Sequence, residues 1–256
     1  MTGTRVLLGK ELLESWRTYR LPVVAGLFLF VGLTSPLLAK FLPEIIEAAA
    51  GDQIPAIPIP PPVAAAAVEQ MWKNLAQFGA FAAIILAMGA VATERDRGTA
   101  AFILSKAVSR GAFLTAKVVA IGWVLALAVI LAVVVAWIYT AILFEPMPVV
   151  GWAAMAALAW LGLAAWAALT FLGSTVTGSA AAAAGLGFLA LLLLSIVGAI
   201  PTVGPFTPSG LAAPAIALAT GASVEAADVI TPVVATIVLI ALALGAAAWS
   251  FRHQEL

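Results

Sequence analysis

The chain has 256 residues, 64% of them hydrophobic and 9% charged, with a mean hydropathy of +1.15. A soluble domain is about 45–50% apolar and about 25% charged, so no soluble fold of this size could hide so much apolar surface. Twelve basic residues balance twelve acidic ones, which argues against a nucleic-acid partner of the usual basic kind. There is no cysteine, and the one histidine, His253, lies at the very C-terminus. Disulfides, thiolate metal sites, haem ligation at depth, zinc proteolysis and Ser/His proteolysis inside the membrane are thereby excluded.

Before the first long apolar run, Leu8, Leu12, Trp16 and Tyr19 fall on one helical face and Lys10, Glu14 and Arg17 on the opposite one. Residues 1–21 therefore read as an amphipathic helix in the headgroup layer, where Trp and Tyr are at home. A bilayer core of about 30 Å takes about 20 apolar residues in a helix. Six segments meet that requirement: 22–42, 71–92, 113–143, 149–172, 180–200 and 230–251. The first is too long, and too far from the start, for a cleaved signal peptide. Pro36 should kink it or end it early. The fold class expected is all-α, one polytopic membrane domain over 1–256.

Between the first two spans, 43–70 reads as an external loop, with Glu44, Glu47, Asp52 and the proline-rich run from Pro55 to Pro62. Between the last two, 201–229 is apolar yet broken by Pro201, Pro205, Pro208 and Pro214. Such a segment suggests one or two short helices dipping into the outer leaflet. Placing the N-terminus in the cytoplasm puts Arg5, Lys10, Arg17, Arg20, Arg95, Arg97, Lys106, Arg110, Lys117 and Arg252 inside. Only Lys40 and Lys73 are left outside, as the positive-inside rule asks of an even number of spans. Both termini are expected to be cytoplasmic.

Residues 93–112 form the informative loop. The positive-inside rule explains Arg95, Arg97, Lys106 and Arg110, but not Glu94 and Asp96 between them. Nor does it explain 100–106, a short and mostly apolar helix-like stretch with Gly98 and Thr99 as its entry. Ser109 is the candidate N-cap of the next helix. An apolar patch facing the cytoplasm normally has a partner.

At these residues the chain resembles the permease subunits of ABC-2 type transporters, including the permease of the nitrous-oxide reductase maturation system. That family carries a Glu-x-Glu-x-Gly-Thr element after its second helix, then a short cytoplasmic helix, a Pro-Val-Ser-Arg element and a Lys at the base of the third helix. Glu94, Gly98 and Thr99 match the first element, Val108, Ser109 and Arg110 the second, and Lys117 the last. Asp96 replaces the second Glu, with a shorter reach, and Ala107 replaces the Pro.

The resemblance implies the permease half of an ATP-driven exporter in the cytoplasmic membrane. Residues 98–106, Phe102 among them, would be the coupling helix seated in a cleft of a separate ATPase, oriented by Glu94, Asp96, Thr99, Ser109, Arg110 and Lys117. The partners implied are a dimer of P-loop ABC ATPase subunits, which would hold ATP and Mg, and a second permease copy or homologue. The phosphate-cradling pattern Gly-x-x-x-x-Gly-Lys-Ser/Thr has no match in this chain, so no cofactor or ATPase activity of its own is expected.

Two other readings compete. An ion-coupled transporter usually places ionisable groups at mid-membrane, where this sequence offers only neutral ones such as Thr34, Gln77, Tyr139, Thr170 and Ser195. A membrane enzyme would have to use Glu145, Ser209, Glu225 or Asp228, whose spacing defines no site. A non-transporting membrane subunit would look similar apart from the motif between Glu94 and Lys117. The sequence does not reveal the transported substrate.

Overall fold

A computed structural model describes residues 2–50, 61–99 and 109–254, and every regular element among them is helical. In chain order these are α1 (Thr2–Arg17), α2 (Arg20–Ala50), α3 (Ala64–Asn74), a π-helical turn (Leu75–Gly79), α4 (Ala80–Met88) and α5 (Ala92–Asp96). They are followed by α6 (Arg110–Leu143), α7 (Val149–Val176), α8 (Ala180–Gly198), two 3-10 turns (Gly204–Phe206 and Pro208–Leu211), α9 (Ala212–Thr220) and α10 (Ala226–Arg252). Six helical stretches are long and apolar enough to cross a membrane: Arg20–Ile46, Ala64–Asp96, Arg110–Leu143, Val149–Val176, Ala180–Gly198 and Ala226–Arg252. The protein is an all-α, multi-pass membrane protein.

The first span corrects two expectations. Helix α2 runs through both Pro36 and Pro43 to Ala50, and α3 begins at Ala64, so much of the expected 43–70 loop is helical. A proline removes one N–H and leaves a carbonyl unpaired, but in hydrocarbon the backbone has no water to turn to and stays helical. The hydroxyls next to Pro36 bond back within the helix, Ser35 Oγ to Val31 O at 2.6 Å and Thr34 Oγ1 to Phe30 O at 2.8 Å. Beyond Pro43, the Glu, Ile and Ala residues up to Ala50 are mostly serviceable helix formers. Residues 61–63 are non-helical, and the rest of the proline-rich run lies outside the described residues.

Close backbone approach holds α2 to α6. A Cβ on Gly32 would lie 2.5 Å from the carbonyl oxygen of Ala132, so only glycine permits this contact. Gly151 of α7 meets the backbone of Leu218 in α9 more closely still. The broken segment after α8 thus packs on the bundle, with Leu211, Ala215 and Ala219 fully buried. The expected short helices are present there.

Burial is uneven. The second and fourth spans are 61% and 56% buried and form the centre, through residues such as Met71, Leu75, Trp152, Met155 and Phe171. The fifth and sixth spans are only 11% and 17% buried, and turn Leu189, Leu192, Ile196, Ile237 and Leu242 outward. Gly32→Val is expected to lower stability by about 1–3 kcal/mol through overpacking at Ala132. Gly26→Ala, where an added methyl meets nothing, is expected to be neutral or stabilising by up to about 1 kcal/mol. Thermal unfolding of the two variants in the same detergent separates the predictions.

Candidate functional site: a charge cluster joining three helices

The second span does not run straight into the 93–112 loop. It breaks at Gly89–Val91, and the backbone N–H groups of Val91 and Ala92, which a broken helix would leave unpaired, both donate to Ser174 Oγ of α7, at 3.1 and 3.0 Å. Ser174 is fully buried, so this one hydroxyl caps the short helix α5 from a neighbouring helix. Helix α5 then presents Glu94 back toward the bundle.

Glu94 Oε1 accepts from Lys117 Nζ at 2.8 Å and from Lys10 Nζ at 2.9 Å. Glu11 Oε1 is bound by the same two ammonium groups, at 3.1 Å from Lys117 and 3.0 Å from Lys10. Glu14 Oε2 closes the set at 2.9 Å from Lys10. Five charges from α1, α5 and α6 therefore alternate in sign. Lys117 is the most enclosed, its side chain 4% exposed, and its ammonium also lies 5.0 Å from the centroid of the Phe113 ring. The second oxygen of Glu94, Oε2, is enclosed and has no hydrogen-bond partner among the described residues.

Carboxylate oxygens of Glu11, Glu14 and Glu94 come within 4.8 Å of one another, close enough to share a metal ion. Lys10 touches all three acids and Lys117 two of them, so the cations are supplied from within the chain. Burial of Lys10 favours its neutral form, but hydrogen bonds to Glu94 and Glu14 and the charges of Glu11 and Glu94 outweigh it and raise its pKa above the ordinary lysine range. Burial likewise pushes Glu14 up. The hydrogen bond and charge of Lys10, with the charges of Lys117 and Arg20, outweigh that and hold it below the usual carboxylate range.

The other expected residues separate into two groups. Arg110 is not in the cluster. Its Nη1 donates to the carbonyls of Phe251, Arg252 and Gln254 at 2.9–3.0 Å, tying the start of α6 to the C-terminus of α10. Phe113 stacks on Phe251 at 5.7 Å with the rings 7° apart, so Phe113 touches both the charge cluster and this second anchor. Gln254 and Arg95 donate to the carbonyl of Thr175 at 2.9 and 3.1 Å.

Ser109 is the N-cap of α6, accepting from Ala112 N at 3.1 Å. Gly98 follows α5 at φ +69, a left-handed conformation that favours glycine, and Thr99 donates from Oγ1 to Glu94 O at 3.1 Å. Asp96 is exposed and makes no ion pair among the described residues. Phe102 and the expected coupling helix after Thr99 lie outside the described residues. Glu225 and Asp228 stand together at the start of α10 in a mouth of about 880 Å³, whereas Ser209 lines a separate cavity of about 100 Å³.

Sequence reasoning missed Glu11, Phe113 and Ser174. It placed Lys10 and Glu14 on the polar face of α1 without a partner outside that helix; they meet Glu94 and Lys117 of α5 and α6 there. Helix α1 turns Leu7 and Glu11 toward the bundle, and exposes Val6, Leu13 and Trp16. The signal was the crowding of Lys10, Glu11 and Glu14 on adjoining positions. It read as an i,i+4 surface pair because the partners are distant in sequence.

These features define a polytopic helical membrane protein in which five charged groups from three helices meet in one cluster. A family model described as a protein of unknown function (DUF2705) matches residues 56–255, and the chain belongs to that family. The chain is also similar to an uncharacterized transmembrane protein of Bacillus subtilis (strain 168), YxlG, with 36% identity over 117 residues. That match covers 43% of this chain and 43% of the relative, so less than half of either is compared.

Two predictions follow from the geometry. Ser174→Ala leaves two buried N–H groups unpaired and is expected to cost about 1–3 kcal/mol, read as a lowered unfolding temperature in detergent. The pH dependence has two limbs. The lowered pKa of Glu14 stabilises α1 docking above about pH 4.5, and that contribution is lost as pH falls through the folded-state value. The raised pKa of Lys10 contributes fully below about pH 10.5 and is lost as pH rises through its own folded-state value. Spin labels at Val6→Cys and Val119→Cys, in a chain with no native cysteine, are expected to report a fixed distance between these limits and a broadened one in acid.

Proposed function

We propose that this chain is the permease subunit of an ATP-binding cassette exporter in the cytoplasmic membrane, with both termini inside. The ATP and Mg sites would belong to a separate pair of P-loop ATPase subunits. The observation that carries the reading is the bond between Glu94 and Lys117, the two ends of the cytoplasmic motif, inside a cluster that also holds α1. A push on the 100–108 segment from an ATPase would reach α5, and through Glu94 it would bear on α6 and α1 together. The Phe113–Phe251 stack and the Arg110 anchor extend the same contact to α10. A transmission path needs such contiguous, rigid contacts.

The ion-coupled alternative is less well supported. Thr34 and Thr170 spend their hydroxyls on their own helices, bonding to Phe30 O and Trp166 O. The acids of the cluster lie on α1 and α5, outside the six apolar runs of the sequence, already paired with lysines. Two permease copies would be needed to match two ATPase subunits, and the little-buried fifth and sixth spans leave apolar surface for lipid or a partner.

The test is assembly followed by hydrolysis. The full chain, purified from its native membrane, is expected to bring with it a P-loop ATPase whose turnover differs from that of the isolated ATPase. Glu94→Gln should preserve the complex but remove about fivefold or more of that difference, the scale of an ordinary coupling energy. Absence of any ATPase partner, or hydrolysis indifferent to the permease, would contradict the proposal.

A further inference from the structure

Helix α1 has a second face that the charge cluster does not use. Both of its acids, Glu11 and Glu14, are engaged by lysines, and Lys10, the only lysine of α1, is engaged by three carboxylates. The outward side keeps Val6, Leu13 and Trp16, which are 72%, 50% and 62% exposed, together with the guanidinium groups of Arg5 and Arg17. The chain then breaks at Thr18 and Tyr19, the latter in a left-handed conformation at φ 60, and α2 starts with Arg20. Arg17 and Arg20 thus flank the elbow, with the exposed rings of Trp16 and Tyr19 beside them. All three arginines are exposed and make no hydrogen bond or ion pair among the described residues.

Water and hydrocarbon are each wrong for such a face. Water leaves four large apolar side chains uncovered, and hydrocarbon strands three guanidinium groups. The headgroup layer accepts both, with rings at the glycerol level and arginine stems extended to the phosphates. Within that layer, charge complementarity selects an anionic lipid, because Glu11 and Glu14 are both paired with lysines, which leaves Arg5, Arg17 and Arg20 as the charges without an ion pair among the described residues of this face. We propose that the α1–α2 elbow binds the headgroup of an anionic phospholipid, with Arg17 and Arg20 on the phosphate and Trp16 and Tyr19 packed along the upper acyl chain. The surface is independent of any ATPase partner.

The experiment uses the full chain purified in a neutral detergent and titrated with phosphatidylglycerol or phosphatidylcholine of the same acyl composition. Retained lipid is counted by native mass spectrometry. Each arginine near an anionic surface contributes about a fivefold preference, so the wild type is expected to favour phosphatidylglycerol by tenfold or more on the same scale. The double variant Arg17→Gln/Arg20→Gln should lose that preference, and Arg17→Gln alone, which leaves the Arg20 charge near Glu14 in place, should lose about fivefold of it while unfolding at the wild-type temperature in phosphatidylcholine. Arg17→Lys/Arg20→Lys should keep most of it, and Arg97→Gln, an exposed arginine beyond α5, should keep all of it. Equal retention of the two lipids by the wild type, an undiminished preference in the double Gln variant, or an equal loss in Arg97→Gln overturns the proposal. So does competition by soluble glycerol phosphate as effective as by the lipid, which would mark a simple anion site.

Discussion

Burying the ammonium of Lys117 is tolerable only because two carboxylates from other helices reach it. An ion taken out of water costs several kcal/mol unless matched by close opposite charges, and Lys117 finds these in Glu94 and Glu11 at 2.8 and 3.1 Å. Much of the architecture at this end of the bundle serves that demand. The second span must break so that Glu94 can turn inward, and Ser174 must pair the N–H groups that the break would strand. Helix α1 must lie against α6 with its acids inward, which requires the chain to enter α2 through the left-handed Tyr19. Phe113 then carries the contact on to the end of α10.

The fold was largely legible because hydrocarbon is a demanding solvent. Six apolar runs had to be helices, and their number agrees with the placement of Lys and Arg along the sequence. What failed were inferences carried over from water. Pro36 was expected to kink the first span or end it early, and Pro43 to open a loop, but a membrane helix has no better way to pair its backbone than to continue. Hydropathy also marked only the apolar centre of the second span, whose helix begins at Ala64, among small residues that precede the hydrophobic core.

The site was half legible. Glu94 and Lys117 stood out as two ends of one motif, and they are in contact. Ser109 was recognisable as a cap because capping is a local rule. Arg110 belonged to the same motif yet serves a different anchor, since its partners are backbone carbonyls at the far end of the chain, which no sequence pattern announces. Glu11 and Ser174 were invisible for a related reason: the partners they reach on other helices lie 82 to 106 residues away along the chain. In the proposed reading, the same cluster that satisfies Lys117 is the joint through which an ATPase would act on the membrane helices. A joint of that kind works only if its parts move as one.

A double-mutant cycle between Glu94→Gln and Lys117→Met, read as unfolding free energy of the full chain in detergent, addresses that requirement most directly. If the two side chains are partners in one enclosed cluster, each single variant strands a charge. Removing both should then cost less than the sum of the single effects, with an interaction of about 1–3 kcal/mol. Additive effects within about 0.5 kcal/mol would mean that the two ends of the motif act independently, and the cluster would not be the joint described here.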